Sequence, residues 1–290
     1  MFNNRMFFSS LLGVDYSGGT NTIDPLSLNP TVYFQVFDTS YLTPSSPSSG
    51  TSITEIRQYT AQTYTASGTS ECVATYDTIS SQDVLYFPGV NGGCWPPPCS
   101  GSCSTYYSTD QNIGFMSESG YSFTLYFVGK PLSGQTSLGH IICDNYMAAP
   151  KPNTVQYLTI KDYKNIYFVS ELDGFGGNIL EIPIEVNSTS LDLNSKDLRV
   201  FSVRAQDTGD LISTAAYSYV NGIQTSSVTQ TNLSTFTTPN SIANLGGIDD
   251  GDSLNTYKGY FAELIIFNEL HSLDTHTKII NFLKDRWDIV

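Results

Sequence analysis

The chain has 290 residues, 40% hydrophobic and 13% aromatic, which is ample apolar material for a sizeable core. Only 14% are charged and the formal net charge is −14. That balance excludes a nucleic-acid partner, which needs a basic face, and docking on anionic lipid through charge. Ser, Thr, Asn and Gln carry the remaining polarity, which suits a β-sheet surface better than a helical one.

The first fourteen residues mix one arginine with apolar side chains. Ser9 and Ser10 break the run, and no small-residue cleavage site follows, so neither a signal peptide nor a membrane segment is expected. Residues 1–23 are read as an arm that anchors to a neighbouring subunit through Met6, Phe7, Phe8, Leu11 and Leu12. Residues 24–290 are read as one domain. Residues 43–50 are rich in Ser and Pro and form a loop after the first strand.

A second polar insertion, residues 89–110, holds Cys94, Cys99 and Cys103, with Cys72 about twenty residues earlier. Three readings stand. One or two disulfides staple an exposed loop, in an oxidising setting such as a virion or cell surface. Alternatively, Cys72 completes a zinc tetrathiolate, or the thiols are free. Cys143 closes an apolar run from His140 and is expected to be a buried strand residue.

Paired carboxylates would suit glycan cleavage, because one can act as acid and the other as nucleophile. Glu171 and Asp173 lack the further glutamate such a strand needs. Glu181 and Glu185 flank Pro183, which predicts an edge strand with a solvated face. The Gly-rich stretch after Asp173 is read as a turn and not as a metal loop. His140, His271 and His276 are scattered, and no nucleophile elbow or zinc-protease motif occurs. The sequons at Asn187 and Asn232 matter only on a secretory route.

Strands are predicted at 198–205 and 212–220, followed by a polar loop over 225–238. Asp249, Asp250 and Asp252 surround Gly251. Hard calcium favours such clustered oxygens, and it is the one cofactor expected; the competing reading is a plain turn. A strand covers 260–267, interrupted by the lone carboxylate of Glu263. Ser272 then caps a helix, with Asp274 in its first turn. Ile279, Ile280, Leu283 and Trp287 take one helical face, and Lys278, Asn281, Lys284 and Asp285 the other.

Four segments together carry a family resemblance. They are the strand and helix over 258–290, the hairpin Tyr219-Val220-Asn221-Gly222, the strand over 121–131, and the opening pair 24–28 and 32–38. In this order they resemble the laminin-G-like, concanavalin-A-like jelly rolls. The resemblance spans 24–290. It implies an all-β sandwich of two antiparallel sheets with one short C-terminal helix, and it adds weight to calcium at a sandwich-edge loop.

Domains of this kind are common in virion proteins. The expected function is therefore a non-enzymatic virion surface protein: a capsid decoration, head fibre or tail-associated subunit with host surface glycans as ligand. Made without a signal peptide in the host cytoplasm, it would partner other virion subunits or copies of itself. The alternative is a cellular lectin-like module or a glycan-cleaving enzyme of the same fold. Tyr106, Tyr107, Tyr163, Tyr167, Tyr217, Tyr219 and Tyr257, set among polar neighbours, could present rings to sugars, but most tyrosines of such a sandwich are core or interface edges and no one ring is singled out.

Overall fold

The computed structural model describes residues 21–59, 63–67, 74–79, 81–89, 106–112, 122–132, 138–144, 154–161, 165–172, 179–185, 197–207, 213–231, 242–249 and 254–290. In chain order the strands are β1 (Val32–Gln35), β2 (Leu42–Thr43), β3 (Glu55–Arg57), β4 (Thr63–Ser67), β5 (Thr75–Ile79), β6 (Gln82–Pro88), β7 (Tyr106–Asn112), β8 (Phe123–Pro131), β9 (Leu138–Asp144) and β10 (Thr154–Lys161). They continue as β11 (Asn165–Leu172), β12 (Ile179–Glu185), β13 (Arg199–Asp207), β14 (Ser213–Val220), β15 (Ile223–Thr231), β16 (Ile242–Leu245), β17 (Gly247–Asp249), β18 (Leu254–Thr256) and β19 (Lys258–Phe267). Helix α1 (Leu273–Trp287) follows.

One sheet runs β15-β14-β13-β8-β19-β6-β5, and β1 lies beside the second half of β19 where β6 has ended. The other runs β12-β11-β10-β9-β16-β7-β4-β3-β2, with the β17–β18 hairpin set against β9. The two sheets form the jelly-roll sandwich that the sequence predicts. Phe34, Leu85, Phe87, Phe123, Phe127, Ile142, Leu158, Phe201, Tyr257, Phe261 and Leu264 fill the space between them. Each such side chain contributes about 1.5–3 kcal/mol by leaving water.

A second apolar layer explains why β8 reads as an unbroken run. Its inner row, Phe123, Leu125 and Phe127, belongs to the sandwich core, while Tyr126 and Val128 face outward beneath α1. All nine residues of the strand are buried, because both its faces are covered. The helix packs as its spacing predicts, through Ile279, Ile280, Leu283 and Trp287, and it buries His276 as well. Ser272 Oγ accepts from the Thr275 N–H at 3.0 Å, and Asp274 pairs with Lys278 at 2.7 Å. Residues 21–28 lie along this helix: Ile23 N–H donates to Lys278 O, and Ile23, Leu26 and Leu28 pack on the apolar layer. The rest of the expected arm, residues 1–20, lies outside the described residues.

The hairpin at Asn221 and Gly222 joins β14 to β15. Both residues have positive φ, 50° and 87°, which a tight turn between twisted strands requires. Asn221 Oδ1 accepts from Val200 N–H at 2.9 Å, and its own N–H donates to Val200 O at 2.8 Å. An asparagine is needed there because its side chain completes the start of β13.

Two expected loops are shorter than predicted. The stretch 225–238 begins as strand, since β15 continues to Thr231 in register with β14. Its polar composition hid it. This is a sheet edge, and its tie to the opposite sheet is made by hydroxyls: Ser218 Oγ donates to Pro183 O and Thr225 Oγ1 to Ile184 O. Likewise the insertion 89–110 ends in β7, where Tyr107 is buried and donates its hydroxyl to Ile53 O at 2.7 Å. The Ser/Pro-rich loop is a loop, and it protects an edge. Gly50 N–H donates to Tyr76 O, and Tyr76 N–H to Thr51 O, along β5. Pro183 sits in β12, the terminal strand of its sheet, as its missing N–H predicts.

Candidate functional site: an aromatic surface on a buried ion pair

The lone carboxylate of β19 organises this surface. Phe261, Leu264 and Ile266 all face the sandwich core, so strict alternation from Phe261 would aim Glu263 into it as well. Ala262 is an extra residue: Phe261 pairs with Gly129 and Glu263 with Val128, its neighbour in β8. This bulge turns Glu263 to the outer face beneath α1. There the fully buried carboxylate receives three donors. Tyr33 OH donates at 2.6 Å, Arg286 Nη1 at 2.8 Å and Trp287 Nε1 at 2.6 Å. Arg286 Nη1 also donates to Tyr33 OH at 2.7 Å.

Burial, with the Glu263 carboxylate beside it, pushes the Tyr33 hydroxyl well above the usual phenol range. Burial works against the Arg286 charge, but Glu263 and Tyr33 overcome it and hold the guanidinium protonated. A charged residue in each of two packed apolar elements therefore finds its partner in the other, as a buried charge must.

On this base stand the two exposed aromatic rings among the described residues, Phe37 at 39% and Tyr59 at 50% exposure. The Arg286 guanidinium lies 4.4 Å from the Phe37 ring centre and 4.3 Å from that of Phe282. Phe37 also meets Trp287 edge-on at 6.2 Å. Tyr59 is fixed by its N–H, which donates to Tyr33 O at 2.9 Å, and its ring lies 6.1 Å from that of Tyr33. Tyr41 stacks on Tyr59 at 6.2 Å. Asp38 caps the turn Thr39–Tyr41 by accepting from Ser40 N–H, which keeps its carboxylate beside these rings. Burial, the Tyr59 hydroxyl and then Asp38 raise the Tyr41 hydroxyl. The result is a half-exposed aromatic shelf edged by one carboxylate and one guanidinium.

A different cluster gathers two of the scattered histidines. Tyr126 OH and His271 Nδ1 are 2.9 Å apart, and His276 stacks on Tyr126 with centres 5.5 Å apart. Arg204 donates to His271 O and to Tyr219 OH. Ser202 Oγ and His276 Nε2 form a hydrogen-bonded pair at 2.9 Å. Both residues are sealed from solvent. Burial and then Arg204 push the His276 pKa down to about 3, so the imidazole is too weak a base to activate the serine near neutrality. This cluster holds the helix to the sheet.

The tyrosines set among polar neighbours divide between core and surface. Tyr107, Tyr219 and Tyr257 are buried, Tyr257 donating its hydroxyl to Tyr260 O at 2.9 Å, and they present no ring to a ligand. Their aromatic bulk was needed in the core and beneath the helix. Tyr167 and Tyr217 are partly exposed, while the side chains of Tyr106 and Tyr163 lie outside the described residues. Asp249 ends β17, but its side chain, like Asp250 and Asp252, falls outside the described residues, as do Cys72, Cys94, Cys99 and Cys103. Cys143 lies in β9, as expected of a strand residue. Among the described residues no group of three His, Cys, Asp or Glu is spaced to hold a metal ion.

The sequence reading missed Phe37, Tyr41, Tyr59 and Arg286. It placed Phe37 inside an apolar strand, whereas β1 stops at Gln35 because Asp38 begins a turn. The available signal was the unmatched charge of Glu263 and of Arg286.

No protein-family model matches the chain, and no curated protein does. Solved structures do resemble it. Domain 4 of AbnA, an extracellular arabinanase from Geobacillus stearothermophilus solved with arabinotriose, superposes with a TM-score of 0.50 at 16% identity, covering 86% of this chain and 96% of that one. The binding domain of botulinum neurotoxin serotype G gives a TM-score of 0.50 at 12% identity, covering 88% of this chain and 51% of that one. Against the NanB sialidase of Streptococcus pneumoniae the TM-score is 0.39 at 19% identity, and the chain spans only 24% of that protein's length. At such identities the two domains with a TM-score of 0.50 establish the sandwich fold alone.

Proposed function

We propose that this chain is a carbohydrate-binding module whose ligand lies on the Phe37–Tyr41–Tyr59 shelf. The observation that carries the reading is the position of the two exposed aromatic rings, both standing on the rigid Glu263–Arg286–Tyr33–Trp287 base. The apolar face of a pyranose or furanose packs on such rings, while Asp38, the tyrosine hydroxyls and Arg286 serve its hydroxyl groups. Rigid placement lowers the entropy cost of binding. The shared sandwich of the arabinanase domain solved with arabinotriose supports the reading by fold analogy.

The setting we propose is a virus particle. The module would project as a capsid decoration, head fibre or tail-associated subunit, and the arm would contact neighbouring subunits. The support for this setting is the sequence resemblance and the low charge content. Calcium at Asp249, Asp250 and Asp252 belongs to the same proposal.

A glycan array probed first with calcium and then with chelator tests the reading, beside Phe37→Ala and Tyr59→Ala. Glycan binding lost in both variants supports the shelf. Binding that survives both moves the site elsewhere, and binding that survives chelation removes calcium. Finding the chain in purified particles, against finding it on cells, decides the setting.

A further inference from the structure

The charges around the shelf bear on the class of glycan it takes, given the carbohydrate-binding reading on which this inference rests. Arg286 uses only one of its terminal nitrogens inside the protein, Nη1, which donates to Tyr33 and Glu263. Among the described residues Nε and Nη2 donate to no group, and neither belongs to the buried polar atoms that lack a partner. With Phe37 and Phe282 packed against it, the guanidinium meets solvent along its Nε–Nη2 edge, and 14% of the side chain is exposed. Two roughly parallel N–H groups on a planar edge fit two acceptors side by side.

Both a carboxylate and a pair of adjacent hydroxyls offer that geometry, and the electrostatics separates them. The Arg286 charge is already matched by Glu263 at 2.8 Å. Asp24 lies near enough to act on the guanidinium through space, and Asp38 stands partly exposed at the rim. At the C-terminal end of α1, Asp285 and the capping Asp288 outnumber Lys284, while Arg57 at the end of β3 is the cation two residues before Tyr59. The chain as a whole carries −14. An incoming anion would thus meet a guanidinium whose charge is spent, in a field of net negative sign. A neutral sugar escapes that repulsion and still uses both free N–H groups.

We infer that the shelf binds neutral glycans, that the edge of Arg286 donates to a pair of adjacent sugar hydroxyls, and that Asp38 with its acidic neighbours rejects glycans bearing carboxylate or sulfate. Arg286 is then a specificity residue as well as part of the buried base.

The test uses the full chain and calorimetry with oligosaccharide pairs that differ only in oxidation of C6 to a carboxylate: galactose and galacturonate, glucose and glucuronate, mannose and mannuronate oligomers. In any pair that binds, the neutral member is expected to bind about tenfold tighter at low ionic strength, with the gap narrowing as salt is added. Asp38→Asn keeps the turn cap and should shift the acidic-to-neutral affinity ratio roughly two- to fivefold toward the acidic member. Equal or tighter binding of the uronate, or a ratio indifferent to Asp38→Asn, overturns the inference while leaving a glycan site in place. Binding of neither member in any pair overturns the carbohydrate reading itself, and this inference with it.

Discussion

Replacing Glu263 by glutamine keeps the shape of the side chain and removes its charge. The carboxylate is fully buried and accepts from Tyr33, Arg286 and Trp287 at 2.6, 2.8 and 2.6 Å. A glutamine offers one acceptor oxygen and one amide that can only donate. If the oxygen stays toward Arg286 and Tyr33, the amide faces the Trp287 N–H, donor against donor. If it flips, the amide confronts the guanidinium. In either orientation one donor loses its partner, and the Arg286 charge stays largely buried without its counter-ion. Breaking a buried pair from one side costs about 3–5 kcal/mol. Against a total stability of about 5–15 kcal/mol, that is a large fraction.

Urea denaturation followed by tryptophan fluorescence should show a midpoint lowered accordingly, with an unchanged slope. Trp287→Phe removes a single hydrogen bond to the charged acceptor and should cost less, about 1.5–3 kcal/mol. Combining Glu263→Gln with Arg286→Met should cost about 1–3 kcal/mol less than the sum of the single variants. A Glu263→Gln loss below about 1 kcal/mol, or simple additivity in the double variant, would refute the reasoning that the pair anchors α1.

Three further outcomes are expected. His276, held by burial at a pKa of about 3, refuses a proton that the unfolded chain accepts near 6.5, and His271 is lowered in the same sense. Stability contributed by the neutral His276 imidazole is therefore complete above pH 6.5 and falls by about 1.4 kcal/mol per unit on acidification, levelling near pH 3, and His271 adds to the loss in the same direction. His276→Gln should flatten that slope when unfolding midpoints are measured between about pH 7 and 4. Phe37→Ala and Tyr59→Ala should move the unfolding midpoint by no more than about 1 kcal/mol, since each ring is half-exposed, yet lower glycan affinity roughly tenfold by calorimetry. Replacing Ile23, Leu26 and Leu28 by alanine strips the apolar side chains that residues 21–28 lay on the helix layer and should lower stability by about 1 kcal/mol per side chain, read as a fall in the unfolding midpoint.

The reach of the sequence can be judged residue by residue. The helix was legible from Ser272 to Trp287, because capping and the 3.6-residue period are local properties. So were β19, the hairpin at Asn221 and Gly222, and the edge position of β12, each set by β-branched runs, by positive φ or by proline. The strand β15 was not legible, since Ser, Thr and Gln read as loop until a neighbouring strand supplies the hydrogen bonds. Nor was the fate of individual aromatic residues. Tyr107 and Tyr257 look no different in sequence from Tyr41 and Tyr59, and which of them is buried depends on sheet register and on what lies across the sandwich.

The site is the extreme case of this dependence. Amino-acid order determined that Glu263 and Arg286 would be charged residues inside apolar elements, and that they required partners. Their partnership was decided by one extra residue, Ala262, which turns the carboxylate to the outer face, and by the helix folding back over β19. Phe37, Tyr41 and Tyr59 then converge from separate turns onto the same support. Periodicity fixes which side of an element is apolar. The meeting of sides from distant parts of the chain depends on long-range strand pairing, and only the assembled sandwich supplies it.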